Sequence, residues 1–107
     1  MTTFNKREDS FEQHMVHDEE MRFRALARRN RRLGKWAAEK LGLTGTAVED
    51  YENALIAADL EEAGDQDVFR KIRADFDAKG VAQSDHQIQR QMGELLDAVL
   101  VELRTKG

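Results

Sequence analysis

The sequence contains no cysteine and no proline, and it has few aromatic residues. The absence of cysteine excludes a disulfide framework and any thiolate metal site. Aromatic residues make up 7% of the 107 residues and charged residues 36%. Strands favour aromatic and β-branched residues, so this composition predicts helices rather than sheets. A chain of this length is sufficient for one domain with one core.

Long apolar runs are also absent. No stretch approaches the roughly 20 apolar residues that a membrane-spanning helix requires, so we expect no membrane insertion. The N-terminus reads MTTFNKRED and lacks the apolar stretch of a secretory signal. These two observations predict a cytoplasmic protein.

The residues that usually carry catalysis are scarce and poorly placed. Ser10 and Ser84 are the only serines, and neither has the strand–turn–helix setting of an activated nucleophile. The segment 41–46 resembles a phosphate loop in its glycines, but it lacks the Gly-Lys-Ser/Thr ending and a preceding strand. His14 and His17 are three residues apart, but no further ligand at a recognisable spacing completes a metal site. We therefore predict neither an enzyme nor a metal protein.

Charge is distributed unevenly along the chain, which has a net charge of −4. Residues 1–20 hold two basic and six acidic side chains, and residues 21–41 hold eight basic and one acidic. Residues 42–79 hold four basic and ten acidic, and residues 80–107 hold three and four. Helical bundles often match opposite charges on neighbouring faces. The simplest prediction is that the basic helix packs beside the acidic ones.

Apolar spacing and end signals predict four helices over residues 18–107. The first begins near Asp18 and ends at Gly42, and the second begins at a Thr46 capping box. The third ends at Gly80, and the fourth begins at a second capping box, at Ser84. The predicted inner faces are Phe23, Leu26, Asn30, Leu33, Ala37 and Leu41; Val48, Tyr51, Leu55 and Ala58; Val68, Phe69, Ile72 and Phe76; and Ile88, Met92, Leu95, Leu96, Val99 and Leu103.

These helices predict an all-α fold, an irregular four-helix bundle with a flexible amphipathic segment at residues 1–17. Short links between the helices require neighbouring helices to fold back on one another. Gly34 and Gly93 fall inside predicted helices, where each costs about 1 kcal/mol relative to alanine. A close approach of two helices at each glycine is the expected reason.

The first helix carries a dense basic stretch, with a tryptophan beside it. Arginine forks suit phosphate or carboxylate groups. Besides the acidic helices of its own bundle, the candidate partners are RNA, an acidic protein groove, and a nucleotide whose base stacks on Trp36. The acidic net charge disfavours nucleic acid. The basic residues are Arg22, Arg24, Arg28, Arg29, Arg31, Arg32 and Lys35, and the candidates for adenine nucleotide contact are Arg28, Arg29, Arg32, Lys35 and Trp36.

The segment before Asp18 has a second notable pattern. Phe4, Arg7, Phe11 and Met15 have helical spacing and form an amphipathic stripe. An isolated helix this short is marginal in water. The segment therefore either packs on its own bundle or folds into a groove on a partner, and the spacing alone does not choose between the two.

Many residues of this chain resemble a known family, the zeta subunit of bacterial F-type ATP synthases. The resemblance covers nearly the whole chain and is most specific over residues 17–42. It is carried by Phe11-Glu12, His17-Asp18-Glu19-Glu20, Arg22-Phe23, Ala27-Arg28-Arg29-Asn30, Leu33-Gly34, Trp36-Ala37-Ala38-Glu39-Lys40-Leu41-Gly42, Tyr51, Asp59, Glu62-Ala63-Gly64-Asp65, Val68-Phe69, Arg73-Ala74-Asp75-Phe76 and Lys79-Gly80. The sequence departs from the family's pattern at Asn5, His14 and Met15.

The resemblance implies a fold and a function. Members of that family are four-helix bundles with an inhibitory N-terminal segment, and they block ATP hydrolysis by the catalytic sector of the synthase. An adenine-nucleotide site has been attributed to the family, so ADP or ATP is an implied ligand although no cofactor is required. We accordingly expect an inhibitor that is peripheral on the synthase, with Phe4, Arg7, Phe11 and Met15 as its partner-binding residues. The alternative is a nucleotide-sensing or RNA-binding module that acts through the basic helix.

Overall fold

The structure, a computed structural model, describes residues 19–61 and 65–106, with only the backbone described at residues 19, 61 and 106. Within these ranges the chain forms four α-helices and no strand, which confirms the predicted all-α fold. We label them α1 (Glu19–Leu41), α2 (Thr46–Glu61), α3 (Gln66–Lys79) and α4 (Asp85–Lys106). None of the four is long and apolar enough to cross a bilayer.

Helices α1 and α2 form a close antiparallel pair. Gly42 and Gly45 take positive φ angles of 78° and 62° in the link between them, a conformation that glycine adopts without strain. A Cβ added at Gly34 would lie 2.7 Å from the Cα of Glu52 on α2. The close helix approach predicted at Gly34 is therefore confirmed.

Helix α3 ends and α4 begins as the local sequence predicts. Gly80 is the left-handed C-cap of α3, with a φ of 70°. The Ser84 capping box is formed, because the Gln87 amide donates to the Ser84 hydroxyl and the Ser84 amide donates to the Gln87 side chain. Arg73 braces this corner by donating to the Gln83 carbonyl and to the Asp85 carboxylate, each at 2.8 Å.

The core is formed by apolar side chains from all four helices, most of them on the predicted faces. Helix α1 is central and contacts each of the other three. Hydrophobic burial of this kind is the main source of stability in a small bundle. The buried cluster comprises Leu33, Ala37, Ala38, Leu41, Tyr51, Leu55, Val68, Ile72, Phe76, Ile88 and Met92.

Two predictions about single residues are wrong. Phe23 was expected in the core but is 53% exposed, because the buried face at this end of α1 is that of Ala25, which points to the other side of the helix. The close helix approach predicted at Gly93 is absent, since a Cβ at that position would meet nothing within 4 Å. The expected segment 1–17 and its flexibility lie outside the described residues.

Candidate functional site

The basic side chains of α1 are distributed to several sides of the helix, and most of those described bind carboxylates. Arg31 binds Glu52 of α2 at 3.1 Å, and Arg24 binds Glu20 one turn earlier at 3.3 Å. Arg28 and Arg32 bind Glu102 of α4, and Arg29 binds Asp65 in the link before α3. The predicted charge matching between the basic helix and its acidic neighbours is therefore observed.

Arg29 points into the bundle and is completely buried. Its Nη2 donates to Asp65 Oδ1 at 2.7 Å, and its Nε donates to Asn30 Oδ1 at 2.7 Å. Its Nη1 donates to the Met92 carbonyl of α4 at 3.3 Å. A buried guanidinium must be paired and hydrogen-bonded, and these contacts meet that need. Arg29 thus joins α1 to α4 and to the residue that precedes α3.

A second carboxylate completes this polar interior. Asp59 of α2 has a raised pKa, first because it is desolvated and then because the negative charge of Asp65 is near; Arg29, Asn30 and Arg22 act in the opposite direction. Asn30 is fully buried. Within the described ranges its Nδ2 has no acceptor in good hydrogen-bond geometry, and its nearest polar influence is the weaker interaction that lowers the pKa of Asp59. Asp59 therefore has one acidic neighbour, Asp65, and two basic ones, Arg29 and Arg22, and desolvation is the main cause of its raised pKa.

On another side of α1, two arginines converge on one atom. Arg32 Nη2 and Arg28 Nη1 both donate to Oε1 of Glu102, at 2.7 and 3.4 Å. The hydrogen bond from Arg32 is the main reason that the pKa of Glu102 lies below its usual range. All three side chains remain about two-fifths exposed. The two guanidinium groups thus share one carboxylate of the same chain.

Lys35 and Trp36 follow this pair along α1. Lys35 is exposed and forms no ion pair within the part of the chain that the structure describes. Trp36 is half-buried and packs against Phe76 of α3, with ring centroids 5.7 Å apart and the planes tilted by 58°. Of the five candidates for nucleotide contact, Arg28, Arg32 and Lys35 follow one another at helical spacing on an accessible part of α1. Arg29 is buried, and Trp36, seven residues later, lies on the same side of the helix as Arg29 and is half-buried.

The remaining candidate residues fall into two groups. Phe4, Arg7, Phe11 and Met15 lie outside the described residues, as do His14 and His17. Across residues 19–61 and 65–106 no group of three or more histidine, aspartate or glutamate side chains is arranged to hold a metal ion. Sequence reasoning missed the partners of the arginines, namely Asp65 and Glu102, because both lie far away along the chain.

One signal for the burial of Arg29 was present in the sequence. Arg29 is four residues after Ala25 and four before Leu33, so all three share one helix face. Ala25 and Leu33 are both buried. Arg28 and Arg32 share a different face, which points to Glu102. The helical spacing thus distinguishes the arginine that is enclosed from those that remain accessible.

The fold and this surface define the class of the protein: a small all-α bundle with paired arginines on one face of its central helix. The chain belongs to the family of the ATPase inhibitor subunit zeta, whose model matches residues 1–101. A solved structure entitled "Solution NMR structure of the protein" is 34% identical, with a TM-score of 0.69, and the match covers 81% of this chain and 99% of that one. No curated protein matches the chain.

Proposed function

We propose that this protein inhibits ATP hydrolysis by the catalytic sector of F-type ATP synthase by inserting residues 1–17 between catalytic subunits. Residues 18–107 form the bundle that remains outside, and the protein is peripheral on the synthase in the cytoplasm. Membership of an ATPase inhibitor family supports the inhibitory role. The observation that carries the proposal is that the family match begins at residue 1, well before the first residue of the bundle.

The composition of the core supports separate roles for residues 1–17 and for the bundle. The buried cluster runs from Leu33 to Met92 and includes residues of all four helices, so the described helices form a core among themselves. In this proposal a partner binds the amphipathic stripe of Phe4, Arg7, Phe11 and Met15. The apolar members would fill pockets on that partner, where buried aromatic residues contribute most of the binding energy.

The dimensions of the bundle support its role as a stop. The described part measures 48 × 26 × 24 Å, whereas a single helix with its side chains is about 10–12 Å across. A cleft that admits one helix therefore excludes the bundle. The depth of insertion would be set by where the segment joins α1, at Glu19.

Photocrosslinking tests the proposed insertion directly. A photoreactive amino acid replaces Phe11 in one variant and the exposed Ala82 in a control, and each is irradiated with the catalytic sector during ATP hydrolysis. We expect crosslinks from position 11 to the catalytic subunits, and few or none from position 82. Crosslinks from position 82 alone would contradict insertion of the N-terminal segment.

We further propose that an adenine nucleotide modulates this inhibitor by binding through its phosphates to Arg28, Arg32 and Lys35, with its base against Trp36. The convergence of Arg28 and Arg32 on one carboxylate oxygen favours this role, since carboxylate and phosphate oxygens make similar demands on a guanidinium. Arg29 is excluded as a direct contact by its burial. NMR titration with ADP and magnesium should shift the amides of residues 28–36, and shifts confined to α3 and α4 would remove this site.

A further inference from the structure

We propose that Glu102 is an internal ligand of the Arg28–Arg32 pair, which an incoming di- or triphosphate must displace before it binds. The inference rests on the proposed nucleotide site and concerns how that site is regulated. Glu102 would make the site selective, because weakly charged anions would fail to compete with a carboxylate already in place. It would also link the occupancy of the site to the packing of α4.

The geometry of the three side chains supports this competition. Two guanidinium groups share a single oxygen, Glu102 Oε1, as they would share an oxygen of a phosphate. The carboxylate belongs to α4, whereas both arginines belong to α1, so the competing ion pairs form only when these two helices pack together. Its position is partly exposed, so a ligand can reach it from solvent.

The ion pairs of Glu102 with Arg28 and Arg32 are weak enough for a phosphate chain to displace the carboxylate. Exposed ion pairs contribute little to stability, because water screens both charges and both side chains lose freedom. A phosphate chain carries more negative charge than one carboxylate, and it also reaches a third cation. Lys35 lies three residues after Arg32 and therefore on the neighbouring position of the same helix surface. A ligand with two or three phosphates contacts more cations than Glu102 does.

Displacement would have a structural consequence. Glu102 of α4 forms ion pairs with both Arg28 and Arg32 of α1. When a phosphate chain takes its place, the C-terminal part of α4 loses this attachment to α1. We therefore expect ligand binding to increase amide hydrogen exchange around residues 99–106, while α2 and α3 retain their protection.

Calorimetric titration with sodium tripolyphosphate tests the proposal on the full-length chain at low salt, with pyrophosphate and orthophosphate as shorter probes. The variant is Glu102→Gln, and the matched control is Glu94→Gln, which alters another exposed α4 carboxylate, paired with Arg90. We expect Glu102→Gln to bind tripolyphosphate about five- to tenfold more tightly, as loss of two exposed ion pairs predicts. The control should match the parent, and affinity should fall as the phosphate chain shortens.

The opposing outcomes are equally definite. The role of Glu102 would be overturned if Glu102→Gln and the parent bound tripolyphosphate with equal affinity, or if Glu94→Gln raised the affinity as much as Glu102→Gln does. It would also be overturned if none of the three proteins bound tripolyphosphate. If Glu102→Gln fails to fold, Glu102→Ala serves as a second variant, and the exchange experiment on the parent chain needs no substitution. Inhibition of the catalytic sector is measured separately without added phosphate, so failure of the inhibitory function is distinguishable from failure of this proposal.

Discussion

Arg29 Nη2 lies 2.7 Å from Asp65 Oδ1, and this pair joins the fully buried guanidinium of α1 to the residue that precedes α3. The side chain of Asp65 is itself 46% exposed. Removing the carboxylate would therefore cost more through the charge left behind on Arg29 than through the lost attraction.

We expect Asp65→Ala to lower the free energy of unfolding by about 2–4 kcal/mol, because Arg29 would remain buried with only neutral acceptors. Combining it with Arg29→Met should recover much of the loss, since the buried guanidinium is then removed together with its partner. Urea unfolding of the single and double variants measures both effects. A double variant less stable than Asp65→Ala would show that the buried charge is not the cause.

The two glycines within helices should respond to alanine in opposite directions. Gly34→Ala should destabilise the protein by about 1–3 kcal/mol, because its Cβ would overlap the Glu52 backbone of α2. Gly93→Ala should stabilise it by up to about 1 kcal/mol, since its Cβ meets open space and alanine favours the helix. Thermal melting of both variants is the measurement. A stabilising Gly34→Ala would contradict the close packing of α1 on α2.

Asp59 should make stability depend on pH. Its pKa is raised in the folded protein, so the folded state binds more protons than the unfolded state. The contribution of Asp59 to the free energy of unfolding is therefore most favourable in acid. This contribution is lost as pH rises from about 4 through the raised pKa. Asp59→Asn removes the titration and should gain stability relative to the parent at pH 7.

Urea unfolding at pH 4 and pH 7 checks this sign. Other carboxylates titrate in both chains, so the informative quantity is the difference between Asp59→Asn and the parent. That difference should be larger at pH 7 than at pH 4. If the difference in free energy of unfolding between Asp59→Asn and the parent were larger at pH 4 than at pH 7, Arg29 and Arg22 would outweigh desolvation at Asp59.

How much of this structure is predictable from sequence depends on whether the signal is local. The ends of α3 and α4 follow from Gly80 and from Ser84 with Gln87, because cap geometry involves residues only a few positions apart. The inner stripes of α3 and α4 also follow from helical spacing alone. Phe23 carries the same apolar signal but is exposed, because burial depends on which side of the helix is packed at each level.

The site was less predictable than the fold. Spacing identifies which arginines share a face of α1, but it does not identify the carboxylates that meet them. Asp65 and Glu102 lie 36 and 70 residues away from their respective partners, Arg29 and Arg32. Such pairs depend on how the helices pack in three dimensions. The sequence therefore placed Arg29 among ligand candidates, whereas the packing encloses it.

Phe11 should contribute strongly to inhibition if residues 1–17 are the inserted segment. Phe11→Ala should weaken inhibition of ATP hydrolysis by about 30-fold, which corresponds to about 2 kcal/mol for a buried interface aromatic. Val101→Ala is the control, because Val101 is a described apolar residue that is exposed on α4. Equal inhibition by Phe11→Ala and the parent would exclude Phe11 as an anchor.

Removal of residues 1–16 tests the central claim most directly, provided that inhibition and stability are measured on the same preparation. The account predicts that the truncated chain no longer inhibits ATP hydrolysis by the catalytic sector, while its melting temperature stays close to that of the full chain. Loss of both inhibition and the cooperative melt would make the segment part of the core. Full inhibition by the truncated chain would contradict insertion and place the inhibitory surface on the bundle.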